Sequence, residues 1–252
     1  MRVLPCLIPL LLATPLLAQP CSVPDTAGRD LNHANLFIED NAADDDIGVH
    51  GYFDDNGWTE LCVFAPDGQM VLHVLPEGRM GDLGLAGVFF ESREPEYTEW
   101  DYVALQAAWP EGLYSLRAMG SDGAVLGGAA WFTTVLPTMP VILTPATLMD
   151  IEAALPTVPV ADLMIAWQPV TASQDGRPIT IRAYQVIVTK ENHEDPHGFS
   201  RPMVDLHVGP HLTSVVVPAA WLDPGSVYEI EVLAIEISGN QTIGGASFFA
   251  TE

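Results

Sequence analysis

Two segments of the sequence carry side chains that could bind a metal ion, and the first of them holds histidines. Residues 193–197 read His-Glu-Asp-Pro-His, which matches the zinc-binding pattern HExxH letter for letter. That chemistry needs a helix, on which two histidines one turn apart bind zinc and the glutamate between them activates water. Pro196 removes a helical hydrogen-bond donor and Gly198 follows, so we expect a loop of exposed or half-buried histidines. A loop metal site that adds His207 and His211 is the alternative.

The second segment is an acidic turn at residues 39–46, whose carboxylates are the hard oxygen donors that calcium prefers. Asp44 and Asp46, together with Glu39 or Asn41, could converge where the chain turns from one strand to the next. The spacing is not that of an EF-hand loop. Calcium at these four residues is therefore the one candidate cofactor, and a solvated acidic turn without any cofactor is the alternative.

Other motifs of catalysis are absent from the sequence. It contains no G-x-S-x-G motif, no P-loop and no G-x-G-x-x-G motif after a strand. Residues 240–242 have the letters of a glycosylation sequon, Asn-Gln-Thr. Four tryptophans have apolar neighbours, which favours packed positions over a sugar-stacking surface; they are Trp58, Trp109, Trp131 and Trp221. We therefore expect a protein that is not an enzyme.

The charge balance excludes some classes of partner. The chain has 9 Lys and Arg residues against 33 Asp and Glu residues, which gives a formal net charge of -24. Such a chain repels phosphate backbones and anionic membrane surfaces, so nucleic-acid binding is not expected. Hydrophobic residues make up 48% of the chain, which is enough apolar surface to exclude a disordered acidic tail.

Residues 1–19 have the pattern of a secretory signal peptide. Arg2 is followed by a leucine-rich apolar run that ends in Leu-Leu-Ala-Gln, and cleavage is expected after Ala18 or Gln19. The run is too short to span a membrane and no other stretch approaches that length, so we expect no transmembrane segment after signal removal. The mature protein is therefore expected to be secreted or periplasmic.

Two cysteines, Cys21 and Cys62, remain once the signal is removed. In an exported protein they could form one disulfide that ties the N-terminal arm to a strand. A buried free Cys62 beside a mobile Cys21 is the open alternative.

Period-two alternation of apolar residues dominates the first half of the chain. It predicts a strand at 58–64 and a hairpin around the turn at 120–123. One short helix is expected after a cap at Thr98, because apolar residues recur there at helical spacing. Residues 30–135 are therefore predicted to form one β-sandwich with a short helix.

The second half begins after a proline-rich stretch at 136–140, which marks the predicted domain boundary. One strand ends in Trp167, another begins its alternation at Tyr184, and Leu222-x-Pro224-Gly225-x-x-Tyr228 leads into a third. These residues stand where fibronectin type III domains have them, and residues 136–252 resemble that family. The resemblance implies a buried core of Trp167, Tyr184, Leu222 and Tyr228, with Tyr228 as a corner tyrosine whose hydroxyl bonds back to the upstream chain.

The first half resembles the immunoglobulin-like modules that occur beside such domains in exported bacterial proteins. The fold class expected is therefore all-β, with two tandem β-sandwich domains. Because such sandwiches host many unrelated roles, the resemblance specifies the fold and leaves the function open. We expect an exported, non-catalytic module that binds a protein, a cell surface or a glycan through its loops. A small exported calcium-binding protein is the alternative.

Overall fold

A computed structural model describes residues 20–26, 28–145, 155, 157–159, 161–191 and 202–251. The signal-like segment 1–19 and the histidine segment 193–197 lie outside these ranges, and the predictions made for them stay predictions. No helix within the described ranges is long and apolar enough to cross a membrane.

Strands make up most of the regular structure in these ranges, so the fold is all-β, as the alternating pattern predicts. In chain order the strands are β1 Arg29–Asp30, β2 His33–Asn41, β3 Asp46–Phe64, β4 Met70–Val74, β5 Leu85–Glu91, β6 Gly112–Gly120, β7 Val125–Phe132, β8 Ile142–Thr144, β9 Thr157–Val158, β10 Leu163–Trp167, β11 Ile181–Lys190, β12 Pro202–Val208, β13 Ser214–Val217, β14 Val227–Glu236 and β15 Gln241–Thr251. The helices are α1 Gly78–Leu83 and α2 Tyr102–Ala108.

The predicted helix is α2, but its cap differs from the one expected. The Oδ1 atom of Asp101 accepts a hydrogen bond of 2.8 Å from the backbone amide of Ala104. A cap at Thr98 is therefore wrong, because the chain after Glu96 first makes a separate turn closed on the Glu96 carbonyl. The helix α1 was not predicted, since two of its six residues are glycines, which have low helix propensity.

The first half forms a sandwich in which the long strand β3 changes partners midway. Residues 46–54 of β3 pair with β2 and β5, whereas residues 58–64 pair with β4 and β6. The register shifts between Asp54 and Trp58, where the strand passes from one set of partners to the other. The largest side chains enclosed between these sheets are Ile38, Phe53, Trp58, Leu61, Tyr114 and Phe132.

The second half is a sandwich of three strands against four. Strands β8, β10 and β13 form one sheet in the order β13-β10-β8, and they face the strands β12, β11, β14 and β15. This order is that of an immunoglobulin-like fold of the fibronectin type III kind. The structure therefore has the fold that the sequence resemblance implied.

Two tyrosine hydroxyls accept hydrogen bonds from the backbone of this second sandwich. The Tyr228 hydroxyl accepts a hydrogen bond of 2.7 Å from the backbone amide of Asp223, and the Tyr184 hydroxyl accepts one of 2.8 Å from that of Val170. The Tyr184 ring lies edge-on to an indole, with 5.3 Å between the ring centroids. The residues that the resemblance placed in the core are all buried: Trp167, Tyr184, Leu222 and Tyr228.

One sheet runs through both halves, because β2 pairs in parallel with β15. Residues 39–41 of β2 lie opposite residues 241–243 of β15. The proline-rich stretch at 136–140 passes beside this pair, where the Thr242 hydroxyl donates a hydrogen bond of 2.8 Å to the Pro137 carbonyl. The hydrophobic cores of the two halves stay separate, so backbone pairing and polar contacts join them.

Candidate functional site

The acidic turn that the sequence singles out is the hairpin tip between β2 and β3, residues 41–46. Asn41 closes it: its Nδ2 donates to Asp44 Oδ2 at 3.0 Å, and its Oδ1 accepts from the Asp44 backbone amide at 3.3 Å. Asp45 has a φ of 59°, in the left-handed region that aspartate tolerates better than most residues. The tip is therefore held by its own side chains.

Asp46 is the unusual member of the hairpin tip. Its Oδ1 atom is buried and has no hydrogen-bond partner, although the residue as a whole is only half-buried. Burial, together with repulsion from the nearby carboxylates of Glu94 and Asp44, raises the pKa of Asp46 to about 6. An oxygen of this kind can accept a proton or a cation.

Glu39 contacts side chains that lie outside the hairpin tip. Gln241 of the second half donates a hydrogen bond from Nε2 to Glu39 Oε2. One carboxylate oxygen of Glu39 lies within 4.8 Å of potential ligand atoms on His50 and Glu94. The four residues predicted from sequence as a calcium site are thus neighbours on one hairpin, and Glu39 also contacts side chains outside its tip.

Glu39, His50 and Glu94 form a cluster of one imidazole and two carboxylates, which we call the Glu-His-Glu cluster. His50 Nε2 lies 3.0 Å from Glu94 Oε1, and His50 is almost fully buried. Burial raises the pKa of Glu39. Burial opposes charge on His50, but the hydrogen bond to Glu94 and the charge of Glu39 raise its pKa overall. Sequence reasoning missed this cluster, because its members are far apart in the chain.

A second pair of acids lies where the hairpin tip approaches β14. Burial, together with repulsion from neighbouring carboxylates, raises the pKa of both Glu229 and Glu231 to about 7. The repelling charge is that of Glu231 for Glu229, and those of Asp44 and Glu39 for Glu231. The outer face of β14 and the hairpin tip together form a concentrated region of negative charge.

Aromatic rings cover the outer face of the β2–β3–β5 sheet. Tyr52 and Phe89 lie directly opposite each other across β3 and β5, and they are 38% and 57% exposed. His50 lies between two rings, with centroids 5.3 Å from Phe37 and 5.8 Å from Phe89. His33 extends the row beside Tyr52, at 6.2 Å between centroids. We call these five residues the aromatic face; sequence reasoning missed it because its members come from three strands.

The N-terminal arm is fixed to β3 by covalent and polar contacts. Cys21 and Cys62 form a disulfide across a sequence separation of 41 residues. The backbone amide of Ser22 donates a hydrogen bond of 2.8 Å to Glu60, and His73 Nε2 lies 3.0 Å from the same oxygen. Burial opposes ionisation of Glu60, but these hydrogen bonds lower its pKa. Because both cysteines are oxidised, neither offers a thiolate to a metal ion.

The remaining sequence motifs do not converge on a site within the described residues. His207 is exposed on β12 and lies 3.8 Å from Asp205, and His211 is exposed in the following turn. Asn240, the sequon asparagine, is 1% exposed. Its Nδ2 donates hydrogen bonds of 2.9 Å to the carbonyls of both Thr133 and Val135. The asparagine of the sequon is therefore inaccessible in the folded protein.

A small cleft lies between β3, the segment after β5 and the helix α2. Trp100, Trp109 and Leu105 form much of its apolar wall, and Arg93 stands at its edge. The Arg93 guanidinium is occupied by the carboxylate of Glu99. The cleft thus offers mainly apolar surface.

No protein-family model matches the sequence, and no curated protein matches it. Among solved structures, the FN1–FN3 domains of chicken CNTN1 are 12% identical with a TM-score of 0.34, over 90% of this chain and 65% of that one. The fibronectin(III)-like modules of Clostridium thermocellum CbhA are 10% identical with a TM-score of 0.32, over 92% of both chains. The ligand-binding domain of human OSCAR is 12% identical with a TM-score of 0.29, over 87% of this chain and 97% of that one.

These similarities are too weak to carry an argument about function. The chain spans about two thirds of the CNTN1 structure. The fold described above rests on the strand pairing of this chain itself.

Proposed function

We propose that this chain is an exported, non-catalytic β-sandwich module that binds a partner protein through the aromatic face. The observation that carries the proposal is the exposure of Phe89 and Tyr52, side by side on a regular sheet. Exposed aromatic side chains on a rigid surface are typical anchors of protein–protein interfaces. Because three paired strands hold them, little conformational entropy would be lost on binding.

The charges around the aromatic face favour a partner segment that is rich in arginine or lysine. Glu91 is exposed and lies opposite His50 in the β3–β5 register, and Glu39 and Glu94 lie on the other side of the imidazole. The whole chain carries a net charge of -24. Aromatic rings bordered by carboxylates attract guanidinium and ammonium groups, both through the ring faces and through long-range steering.

The Cys21–Cys62 disulfide supports an exported setting. Disulfides of this structural kind persist in oxidising compartments and are rare in the reducing cytosol. Together with the signal-like segment 1–19, the disulfide favours a secreted or periplasmic location. The acidic surface that would face this compartment is compatible with a protein or cell-surface partner.

An oligoarginine peptide titrated into the intact protein tests the binding face. We expect Tyr52→Ser combined with Phe89→Ser to weaken binding about tenfold, because two cation–π contacts of about 0.7 kcal/mol each are lost. The variant leaves the net charge unchanged, so attraction by charge alone would not be affected. Trp131→Ser is the matched control, since Trp131 is 63% exposed on β7.

Equal affinity of the double variant and the unaltered protein would contradict the proposal and leave only non-specific attraction. Neutral oligosaccharides provide a second probe of the same variants. If they bind and the double variant abolishes their binding while peptide affinity stays unchanged, the face binds a glycan rather than a protein. Circular dichroism of each variant establishes that the strands are intact.

Calcium binding at the hairpin tip is the second candidate function, and the unpartnered Oδ1 of Asp46 is the observation that favours it. A cation there would relieve the repulsion among Asp44, Asp46 and the nearby Glu231. Calcium in millimolar excess should then raise the melting temperature by mass action, compared with chelator-treated protein. Asp44→Asn with Asp46→Asn should abolish that shift, whereas His211→Ala should keep it. Identical melting curves in calcium and in chelator would show that the hairpin tip is a solvated turn that binds no calcium.

A further inference from the structure

We infer that Glu39, His50 and Glu94 form a binding site for one divalent transition metal ion of the zinc class. The inference is independent of both the partner-binding and the calcium proposals. It rests on the convergence of one imidazole and two carboxylates from three separate elements: β2, β3 and the segment that follows β5. Mixed nitrogen and oxygen donors of this kind suit zinc better than calcium, which prefers oxygen ligands alone.

The spacing of the donor atoms fits such an ion. One ligand atom from each of the three side chains lies within 4.8 Å of the others, and His50 Nε2 is 3.0 Å from Glu94 Oε1. Zinc bonds of about 2.0–2.2 Å in a tetrahedron hold neighbouring ligand atoms roughly 3.3–3.6 Å apart. The three side chains therefore need only small rotations to enclose the ion, and a fourth position stays open for water or a partner's group.

A glycine makes room for the cluster. Gly48 lies directly opposite Glu39 in the β2–β3 register. A Cβ atom at Gly48 would lie 2.7 Å from Cγ of Glu94 and 3.1 Å from its Oε1. The absence of a side chain at Gly48 thus leaves the space that the Glu94 side chain occupies as it reaches His50.

Residues that contact the three ligands hold their side chains in position, as they do in known metal sites. Gln241 holds one oxygen of Glu39 by a hydrogen bond from the second half of the chain. The His50 ring packs between Phe37 and Phe89, which restricts its rotation. Such outer contacts fix ligand orientation and raise metal affinity. A bound ion would also neutralise the charge of the two carboxylates.

Isothermal titration of zinc chloride into the intact, chelator-treated protein tests the site. We expect one ion to bind. Glu94→Gln should weaken its affinity by more than about tenfold, because even the loss of a residue that only contacts a metal ligand costs that much. Gly48→Ala should also weaken binding, although it removes no donor atom. His50→Gln should abolish binding, but it alters a buried residue. Glu94 is only half-buried, so Glu94→Gln tests the site with less disturbance of the fold.

The controls separate this site from the other candidates. His207→Gln, at an exposed histidine, should leave zinc affinity unchanged. His193→Gln with His197→Gln should leave it unchanged as well. The pair Asp44→Asn with Asp46→Asn removes nearby charge but no ligand, so it should weaken zinc binding far less than Glu94→Gln does. Absence of zinc binding would overturn the inference, and so would binding that survives Glu94→Gln and Gly48→Ala but is lost with His193 and His197. Cobalt(II) substitution gives a further readout: ligand-field absorption that Glu94→Gln alters supports the site, and absorption unchanged in that variant contradicts it.

Discussion

The side-chain oxygen of Asn240 accepts a hydrogen bond of 2.8 Å from the backbone amide of Ile38, across 202 residues of sequence. The amide nitrogen of the same side chain donates to two backbone carbonyls that precede the proline-rich stretch 136–140, those of Thr133 and Val135. One buried side chain thus satisfies three backbone groups of two segments that are far apart in the sequence. It sits where β2, β15 and the connection between the halves meet.

Replacing Asn240 by alanine should destabilise the protein by about 2–4 kcal/mol, because a buried amide and two carbonyls lose their partners. Urea denaturation followed by tryptophan fluorescence measures the loss. Asn56→Ala, at an exposed asparagine, is the matched control and should stay within about 0.5 kcal/mol of the unaltered protein. An unchanged urea midpoint for Asn240→Ala would show that water replaces the lost contacts.

Truncation of Trp167 to alanine should cost about 3–5 kcal/mol, since the indole is 1% exposed and packs on Tyr184. A loss of that size is a large fraction of the stability of a typical domain. Trp131→Ala removes the same side chain from an exposed position and should change stability by about 0.5 kcal/mol or less. Equal losses in the two variants would mean that the second core does not depend on Trp167.

Removal of the disulfide through Cys21→Ser with Cys62→Ser should destabilise the protein by about 4 kcal/mol on the chain-entropy model, given the sequence separation of 41 residues. Reductant should lower the melting temperature of the unaltered protein and leave that of the double variant unchanged. A melting temperature of the unaltered protein that does not respond to reductant would indicate that the hydrogen bonds between Ser22 and Glu60 hold the arm by themselves.

Stability should fall as the pH rises from about 5 to about 8. Glu229 and Glu231 keep their protons to a pKa of about 7 in the folded chain and lose them at lower pH when unfolded. The folded state thus binds more protons than the unfolded state in this pH window, so the free energy of unfolding decreases as the pH rises. His50 acts in the same direction, because its pKa is also raised overall by its carboxylate neighbours.

Urea denaturation at several pH values measures this slope. Glu231→Gln should flatten it and should stabilise the protein at the alkaline end, where the carboxylate is otherwise ionised. Glu77→Gln, at an exposed position, should keep the slope of the unaltered protein. A slope of opposite sign would mean that the acids on β14 are solvated well enough to ionise freely.

Local pattern was sufficient to predict much of the fold. The alternation from Tyr228 onward places one face of β14 in the core, and Gly123, with a φ of 80°, closes the hairpin between β6 and β7 as its sequence indicates. These elements depend on residues that are neighbours in the chain. The helix α1 lacked such a pattern, and the cap of α2 was misplaced because Thr98 and Asp101 are both good capping residues.

The candidate site depended on contacts that local pattern does not encode. The sequence predicted Glu39 as a ligand together with residues close to it in the chain, Asn41, Asp44 and Asp46, and that set stays a prediction. The companions that the structure supplies, His50 and Glu94, reach Glu39 only because β3 pairs with both β2 and β5. The parallel pairing of β2 with β15, which brings Gln241 to Glu39, joins segments about two hundred residues apart.

The pairing of β2 with β15 also has a consequence for the order in which the chain folds during synthesis. As the chain leaves the ribosome, β2 and β3 are available early, but the strand that pairs with the other edge of β2 is made about two hundred residues later. Until then that edge presents unpaired amides and carbonyls, which are a template for pairing with other chains. Premature termination before residue 241 should therefore give a product whose first half is complete in sequence and yet prone to aggregate.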